Sequence, residues 1–342
     1  MTDCFKYQNL ISIKNLFQAW DGFKKGKISK SDVRIFESEL EDNIFSLQRS
    51  LMNESYEHGS YQSFYVFDPK FRHIHKSLVR DRIVHHLLYK YLYSIWDKTF
   101  IFDSYSCRLG KGTHKAVIRL SKFLRKVSKN NTKVCYALKC DINKFFDCVD
   151  HKILFRMLKT KIKDRKILML LYKIIYSFDS RKGIKKGIPL GNLTSQIFAN
   201  IYLNDLDQFI KHRLKVKYYV RYVDDFMILS CNKKYLYKLI TEIDSFLNKK
   251  LRLLLNIRKT NIRKYSCGVD FLGYTILPFV ILPKRKTKKR IIHKMKSKLN
   301  QHILGKVSNY SLNQSLQSYL GFLKHANTYK LSIYLKDIIC KD

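Results

Sequence analysis

Two adjacent acids, Asp224 and Asp225, stand between two apolar runs, Val220-Arg221-Tyr222-Val223 before them and Phe226-Met227-Ile228-Leu229 after. No helical period fits these residues and both flanks are β-prone, so the stretch reads as a hairpin with the acids at its tip. Buried flanks would hold both carboxylates rigidly at the mouth of a site. Neighbouring carboxylates repel, and each costs free energy to desolvate, so such a pair calls for a cation between them. The same dipeptide also serves as an ordinary β-turn, where Asp is favoured for its side-chain-to-backbone hydrogen bonds.

Charge bears on that choice. Lys and Arg number 67 against 27 acids, a net charge of +40 on 342 residues. Self-repulsion of that size disfavours a compact chain unless a polyanion neutralises it, and nucleic acid fits better than a membrane surface. With 46% hydrophobic and 14% aromatic residues the chain folds rather than remaining a charged tail, and its length suits two or three subdomains. No apolar run approaches the roughly 18 residues of a membrane span. The start, Met1-Thr2-Asp3-Cys4-Phe5-Lys6, lacks a basic-then-apolar signal layout. Eight cysteines include no C-x-x-C pair and no zinc-like spacing, so reduced thiols and a cytoplasmic location are expected.

Residues 1–60 carry mixed helical patterns. Ser63-Phe64-Tyr65-Val66-Phe67, the Asp68-Pro69 turn signal and Lys70-Phe71-Arg72-His73-Ile74 together predict a hairpin with cations on its second strand. A helix is expected from Arg80. Arg108-Leu109-Gly110-Lys111-Gly112-Thr113-His114 follows, a glycine-containing loop before a basic helix, which is either a weak phosphate cradle or a plain connection. The strand-like run from Val134 delivers Asp141 at its end, where an acid is costly without a partner. Asp147 or Asp150 would cap the next helix, and residues 151–178 read as helical. A basic loop reaches Leu190-Gly191-Asn192, then Leu193-Thr194-Ser195-Gln196 opens an apolar helix whose positive end favours an anion. A helix from Tyr235, a strand over residues 253–257 and a hairpin over residues 269–277 complete this part, with Pro278 and Pro283 bracketing a junction. No acid occurs between Asp270 and Asp337, while Lys284, Arg285, Lys286, Lys288, Lys289, Arg290, Lys294, Lys296 and Lys298 crowd one helix. Ile291, Ile292, Met295, Leu299 and Ile303 would form its apolar face. Its basic back is either solvated or a polyphosphate contact, and the missing acids favour the contact.

An antiparallel sheet can bring the end of the Asp141 strand beside the Asp224-Asp225 tip, giving three carboxylates, enough for two divalent ions in an in-line phosphoryl transfer. At this point the chain resembles the reverse transcriptases, from about residue 61 onward. Asp141-Ile142-Asn143-Lys144-Phe145-Phe146 is similar to the family's motif A and Tyr222-Val223-Asp224-Asp225 to motif C. Asn256 with Lys259-Thr260 is similar to motif D, and Phe271-Leu272-Gly273-Tyr274 to the primer grip. The resemblance implies an α+β, right-hand polymerase fold with fingers, a palm built on an antiparallel sheet and a short α-helical thumb. Its divisions would be a helical extension (1–60), fingers (61–140), palm (141–277, with a fingers insertion at about 152–186) and thumb (278–342). A chain ending there would carry no further DNA-binding or endonuclease domain.

The same resemblance implies roles. Asp141, Asp224 and Asp225, with the Ile142 carbonyl, would bind two Mg2+ ions, Mn2+ being a substitute, and Lys259 would protonate pyrophosphate or merely contact phosphate. Lys70 and Arg72 would grip the triphosphate of an incoming dNTP. Phe146 would be a steric gate against the 2′-hydroxyl, which disfavours RNA synthesis. Leu190, Gly191, Ser195 and Gln196 would lie along the nucleotide. Arg108, Phe271, Leu272, Gly273, Tyr274, Lys288 and Arg290 would hold primer and template. Leu190 and Gln196 stand where most bacterial members have Gln and Pro. Together with residues 110–114 and Ser318-Tyr319-Leu320-Gly321, they resemble the enzymes of diversity-generating retroelements. That implies a template RNA copied with errors at adenines, an RNA/cDNA duplex, a basic accessory variability protein, and a bacterial, archaeal or phage origin without membrane association. The rivals are a phage-defence or retron-type reverse transcriptase and a non-catalytic, polymerase-like RNA-binding protein.

Overall fold

A computed structural model describes residues 6–68, 70–181 and 183–340. Pro69 of the expected turn, Lys182 of the basic loop and the start of the chain to Phe5 lie outside the described residues. In chain order the elements are α1 (Tyr7–Leu10), α2 (Ile13–Lys24), α3 (Ser31–Ser38), α4 (Leu40–Met52), β1 (Gln62–Val66), β2 (Arg72–Lys76), α5 (Val79–Trp96), α6 (Thr113–Val127) and β3 (Tyr136–Asp141). There follow α7 (Phe145–Cys148), α8 (His151–Lys161), α9 (Arg165–Tyr176), α10 (Leu193–Gln208), β4 (Tyr219–Tyr222), β5 (Asp225–Ser230) and α11 (Lys233–Phe246). The last are β6 (Asn261–Lys264), β7 (Val269–Phe271), β8 (Tyr274–Ile276), β9 (Ile281–Pro283), α12 (Arg285–Ile303), α13 (Asn309–Leu323) and α14 (Tyr329–Cys340). No described helix is long and apolar enough to cross a membrane.

The chain forms two compact units. One comprises Met1–Arg108, Ile142–Lys215 and Thr241–Asn256, the other Leu109–Asp141, Val216–Ile240 and Ile257–Asp342. In the first unit α10 is buried on most sides, with Ile197, Phe198, Ile201, Tyr202, Leu203 and Leu206 in the core and Thr194, Ser195, Asn200 and Asp207 buried beside them, as befits a central helix. It packs on α5, while α2 lies against α4 and α5 through Leu16, Trp20 and Phe23. The 151–178 stretch, read as helical, holds two helices. Asp164 accepts hydrogen bonds from the Lys166 and Ile167 amides, and that cap starts α9 afresh. Asp150 caps α8 through the Ile153 amide at 3.1 Å.

The second unit holds a four-stranded sheet in the order β4-β5-β3-β6, antiparallel throughout. Helix α6 covers β4 and β5 with Ala116, Val117, Leu120 and Leu124 buried. A smaller sheet, β7-β8-β9, precedes three helices that share one core of Ile291, Met295, Leu299, Leu312, Leu316, Leu323, Leu331 and Leu335. Strand β9 ends at Pro283, within the stretch that Pro278 and Pro283 bracket. As an edge strand it tolerates the missing amide of Pro283. Ile303, expected on the apolar face of α12, stands in its last turn and is exposed.

Residues 253–257 do not form the expected strand. Only Leu255 pairs, with Ile142, and the Leu255 amide is taken by the Asp244 carboxylate at 3.0 Å. A side chain thus claims the donor a sheet ladder would use.

Candidate active site

Strand β3 sits between β5 and β6, and its register with β5 sets Asp141 opposite Asp225. Tyr222 pairs with Asp225 across the β4–β5 hairpin, so Val223 and Asp224 form a two-residue turn. Val223 adopts a left-handed φ of +54°, a conformation that is costly for a β-branched residue and is tolerated where the surroundings fix it. Two contacts do so. The fully buried Arg221 donates to the Val223 carbonyl at 3.1 Å, and Thr113 in the first turn of α6 donates to the Tyr222 hydroxyl at 3.2 Å.

Burial first, and then the charge of Asp141 with a smaller share from Asp225, pushes the Asp224 carboxyl up to about 6. Two ammonium groups answer the rest of this negative charge. Lys259 lies 2.8 Å from Asp141 and Lys139 lies 3.2 Å from Asp225. Lys139 escaped the sequence reading, although its position two residues before Asp141 on the same strand puts both side chains on one face. Among the described residues no three His, Cys, Asp or Glu side chains are gathered in ligating position. The acids face ammonium groups instead. Three hard carboxylate donors in mutual repulsion nonetheless suit a hard divalent cation, which would take over the place of those ammonium groups.

The residues expected along the nucleotide lie in the first unit. The exposed Arg72 begins β2, and Lys70 is exposed just before it. The His75 amide of β2 donates to the Leu190 carbonyl at 3.0 Å, and the Ile188 amide donates to the Phe146 carbonyl at 2.8 Å. Residues 188–190 therefore bridge the Phe146 turn and the hairpin. Gly191 has a φ of +124°, and a Cβ there would meet Ile74 Cγ2 at 3.2 Å and the His75 carbonyl at 3.3 Å, so the loop can lie this close only with glycine. Ser195 is buried with no hydrogen-bond partner for its hydroxyl among the described residues, and Gln196 is exposed.

Three residues expected on primer or template also make contacts within the protein. The Arg108 guanidinium donates to the Asp97 carboxylate at 2.7 Å and to the Ile101, Ser104 and Asp97 carbonyls, so it fixes the turn before it. Phe271 and Tyr274 are buried, and the Tyr274 hydroxyl donates to the Phe322 carbonyl at 2.7 Å. Leu272 and Gly273 at the intervening turn are half-buried, and Lys288 on α12 is exposed.

Residues 67–276 match the family model described as "Reverse transcriptase (RNA-dependent DNA polymerase)". The chain belongs to this family. Among curated relatives, Protein YkfC of Escherichia coli is 27% identical over 58% of this chain and 61% of its own length. The Group II intron-encoded protein LtrA of Lactococcus lactis is 25% identical over 79% of this chain and 54% of its own. The chain thus spans less than two thirds of either. Apo telomerase from Candida tropicalis aligns with a TM-score of 0.53 at 15% identity, over 82% of this chain and 62% of that one. The fold is accordingly α+β, the right-hand polymerase fold, with Asp141, Asp224 and Asp225 at one end of its antiparallel sheet.

Proposed function

We propose that the chain is an RNA-directed DNA polymerase that extends a primer on an RNA template with dNTPs. The observation that carries this is the β3–β5 register, which sets Asp141 opposite Asp225 with Asp224 in the adjoining turn. Those three carboxylates and the Ile142 carbonyl would hold two Mg2+ ions, or Mn2+ in their place. Ions so bound would lower the pKa of the primer hydroxyl and neutralise charge on leaving pyrophosphate. Lys259, released from Asp141, would then donate a proton to the pyrophosphate. Lys70 and Arg72 would bind the triphosphate, and the Phe146 ring would fill the space a 2′-hydroxyl needs. Lys288 and Arg290 of α12 would contact duplex phosphates, in a thumb of residues 278–342.

Primer extension tests the reading. Replacing Asp224 and Asp225 together by Ala is expected to abolish dNTP incorporation on RNA, and wild type is expected to prefer dNTPs to rNTPs. Incorporation that survives the double change would overturn the metal assignment.

We further propose the error-prone enzyme of a diversity-generating retroelement, working with a basic accessory protein. Leu190 and Gln196 support it, because an apolar residue in place of a glutamine loosens the geometric check on the nascent pair. Sequencing the cDNA made from co-purifying RNA should show errors concentrated at adenines, reduced by Leu190→Gln. An even error spectrum, or one that Leu190→Gln leaves unchanged, would sink this narrower reading.

A further inference from the structure

The start of α10 turns its polar side chains away from its own helix. Asn192 stands at the N-cap, where an asparagine side chain ordinarily accepts from the first-turn amides, yet it makes no such bond. Its Oδ1 accepts instead from the Ser77 hydroxyl at 3.0 Å, and its Nδ2 donates to the Tyr61 hydroxyl at 3.4 Å. Thr194, two residues on, places its hydroxyl 2.8 Å from Nδ1 of His85 on α5.

His85 is buried and continues the chain of contacts. Its Nε2 lies 3.2 Å from Nε2 of His58, and His58 Nδ1 lies 2.6 Å from the Gly59 carbonyl. With both rings neutral the protons have one arrangement. A carbonyl only accepts, so His58 carries its proton on Nδ1 and accepts at Nε2. His85 must then donate from Nε2, which leaves its Nδ1 to accept from the Thr194 hydroxyl. Burial holds the His85 ring well below the ordinary histidine range, which keeps it in the neutral form. The far end of the chain is anchored as well. Asp81 and His85 are four residues apart on α5 and share a face. Asp81 accepts from the Tyr56 hydroxyl at 2.8 Å and from the Gly59 amide at 3.1 Å, and Tyr61 stacks on His58 at 4.7 Å.

Buried polar groups need partners anywhere, and that alone would account for the paired imidazoles. It does not account for Asn192, whose side chain forgoes the cap that its position offers. A frame that fixes where α10 begins does account for it. Leu190 and Gly191 precede this point, and Ser195 and Gln196 follow it. We propose that His85 is a positioning residue for the incoming nucleotide, acting through Thr194, with His58 holding its ring. The inference rests on the reading of the chain as a polymerase, and adds to its pocket a support from α5 and from the segment before β1. A displaced first turn of α10 would spoil the fit of a bound nucleotide without altering the three carboxylates.

Single-turnover insertion by the full chain on a primed RNA template gives the dNTP Kd and the rate at saturation separately. His85→Leu should raise Kd about tenfold and leave the saturated rate within about threefold of wild type. His85→Asn keeps an acceptor near the place of Nδ1 and should bring Kd back towards wild type. Thr194→Val should match His85→Leu, and it carries the test alone if that variant does not fold. The double variant should be no worse than either single one, as residues acting through one contact are. Unchanged Kd with lowered thermal stability assigns the network to stability and overturns the proposal. Kd raised equally by His85→Asn and His85→Leu, or single effects that multiply in the double variant, overturns it too. A dideoxy-ended primer reads dNTP binding without chemistry and so separates this proposal from the polymerase reading. If wild type incorporates nothing but binds dNTP, and His85→Leu weakens that binding about tenfold, the polymerase reading fails and the positioning role stands. If wild type incorporates normally and the variants keep its Kd, the positioning role alone fails. A wild type that neither binds nor incorporates dNTP ends both.

Discussion

Two hairpins of the second unit close with the same economy and opposite purpose. Between β4 and β5 the turn is Val223-Asp224, and between β7 and β8 it is Leu272-Gly273. In each the first turn residue takes a left-handed φ, +54° at Val223 and +47° at Leu272. The second hairpin places Gly273 (φ +89°) at the next position, which suits the twist of a two-residue hairpin. The first gives that position to an acid. Burial, and then the neighbouring acids, raise the Asp224 carboxyl, whereas Asp270 on the second hairpin is held below the ordinary carboxylate range. Burial alone would raise Asp270, but Lys284 at 2.8 Å and Thr275 at 2.6 Å outweigh it. One hairpin accepts strain and repulsion at a site, and the other uses its polar contacts to hold a fold together.

The same change in both hairpins should therefore give opposite results. Asp224→Asn is expected to lower dNTP incorporation by ~10³-fold or more, since a lost metal ligand forfeits several kcal/mol of transition-state stabilisation. It should not cost stability. Without divalent metal at neutral pH, removing a carboxylate whose pKa is pushed up to about 6 should stabilise the chain by on the order of 1–2 kcal/mol. Urea unfolding of metal-free protein reads the second effect, and a destabilised variant would show that Asp224 has a structural partner.

The next effect belongs to the other turn. Gly273→Val puts a β-branched residue into a left-handed conformation, with a Cβ 3.4 Å from the Phe322 ring. The expected loss is on the order of 2 kcal/mol. A neutral result would mean that β7–β8 does not need its turn geometry.

How much of this was legible in the sequence differs between the hairpins. Asp224-Asp225 stood out because two apolar runs enclose it, and a strand ending at Asp141 could be read from composition. Periodicity alone cannot show that Lys139 and Lys259 pair with those acids, since any lysine is expected in solvent. Arg108 is a related case. A basic residue beside a glycine loop suggests phosphate, and only the folded turn shows that carbonyls and Asp97 use up its donors. Phe271 and Tyr274 flank an exposed-looking turn yet are buried, and for Tyr274 α13 supplies Phe322 as a stacking partner at 4.5 Å. That partner lies 48 residues downstream of Tyr274. Long-range packing of this kind leaves no local signal.

Asp270→Asn should be a smaller loss, about 1 kcal/mol at neutral pH, with incorporation per folded molecule little changed. The sign with pH follows from the lowered carboxyl. A depressed folded-state pKa contributes stability that is present above the unfolded value, near 3.8, and lost as pH falls through the folded one. The gap between wild type and Asp270→Asn should therefore shrink as pH drops from about 5 towards 3. A gap that stays constant over that range would assign the loss to the Thr275 hydrogen bond rather than to charge.

The smallest expected effect is at Val223. Glycine there would relieve about 1 kcal/mol of left-handed strain, yet it removes a half-buried side chain and adds backbone entropy to the unfolded chain, about 1 kcal/mol in the other direction. Arg221 holds the Val223 carbonyl whatever the side chain is, so the turn should survive and stability should move by less than about 1 kcal/mol. Urea unfolding of Val223→Gly decides between the terms. A gain well above that bound would mean that the turn stores strain in order to hold Asp224 forward. A loss well above it would mean that the valine anchors the turn by packing, and the contrast with the glycine-closed hairpin would then lie in their acids alone.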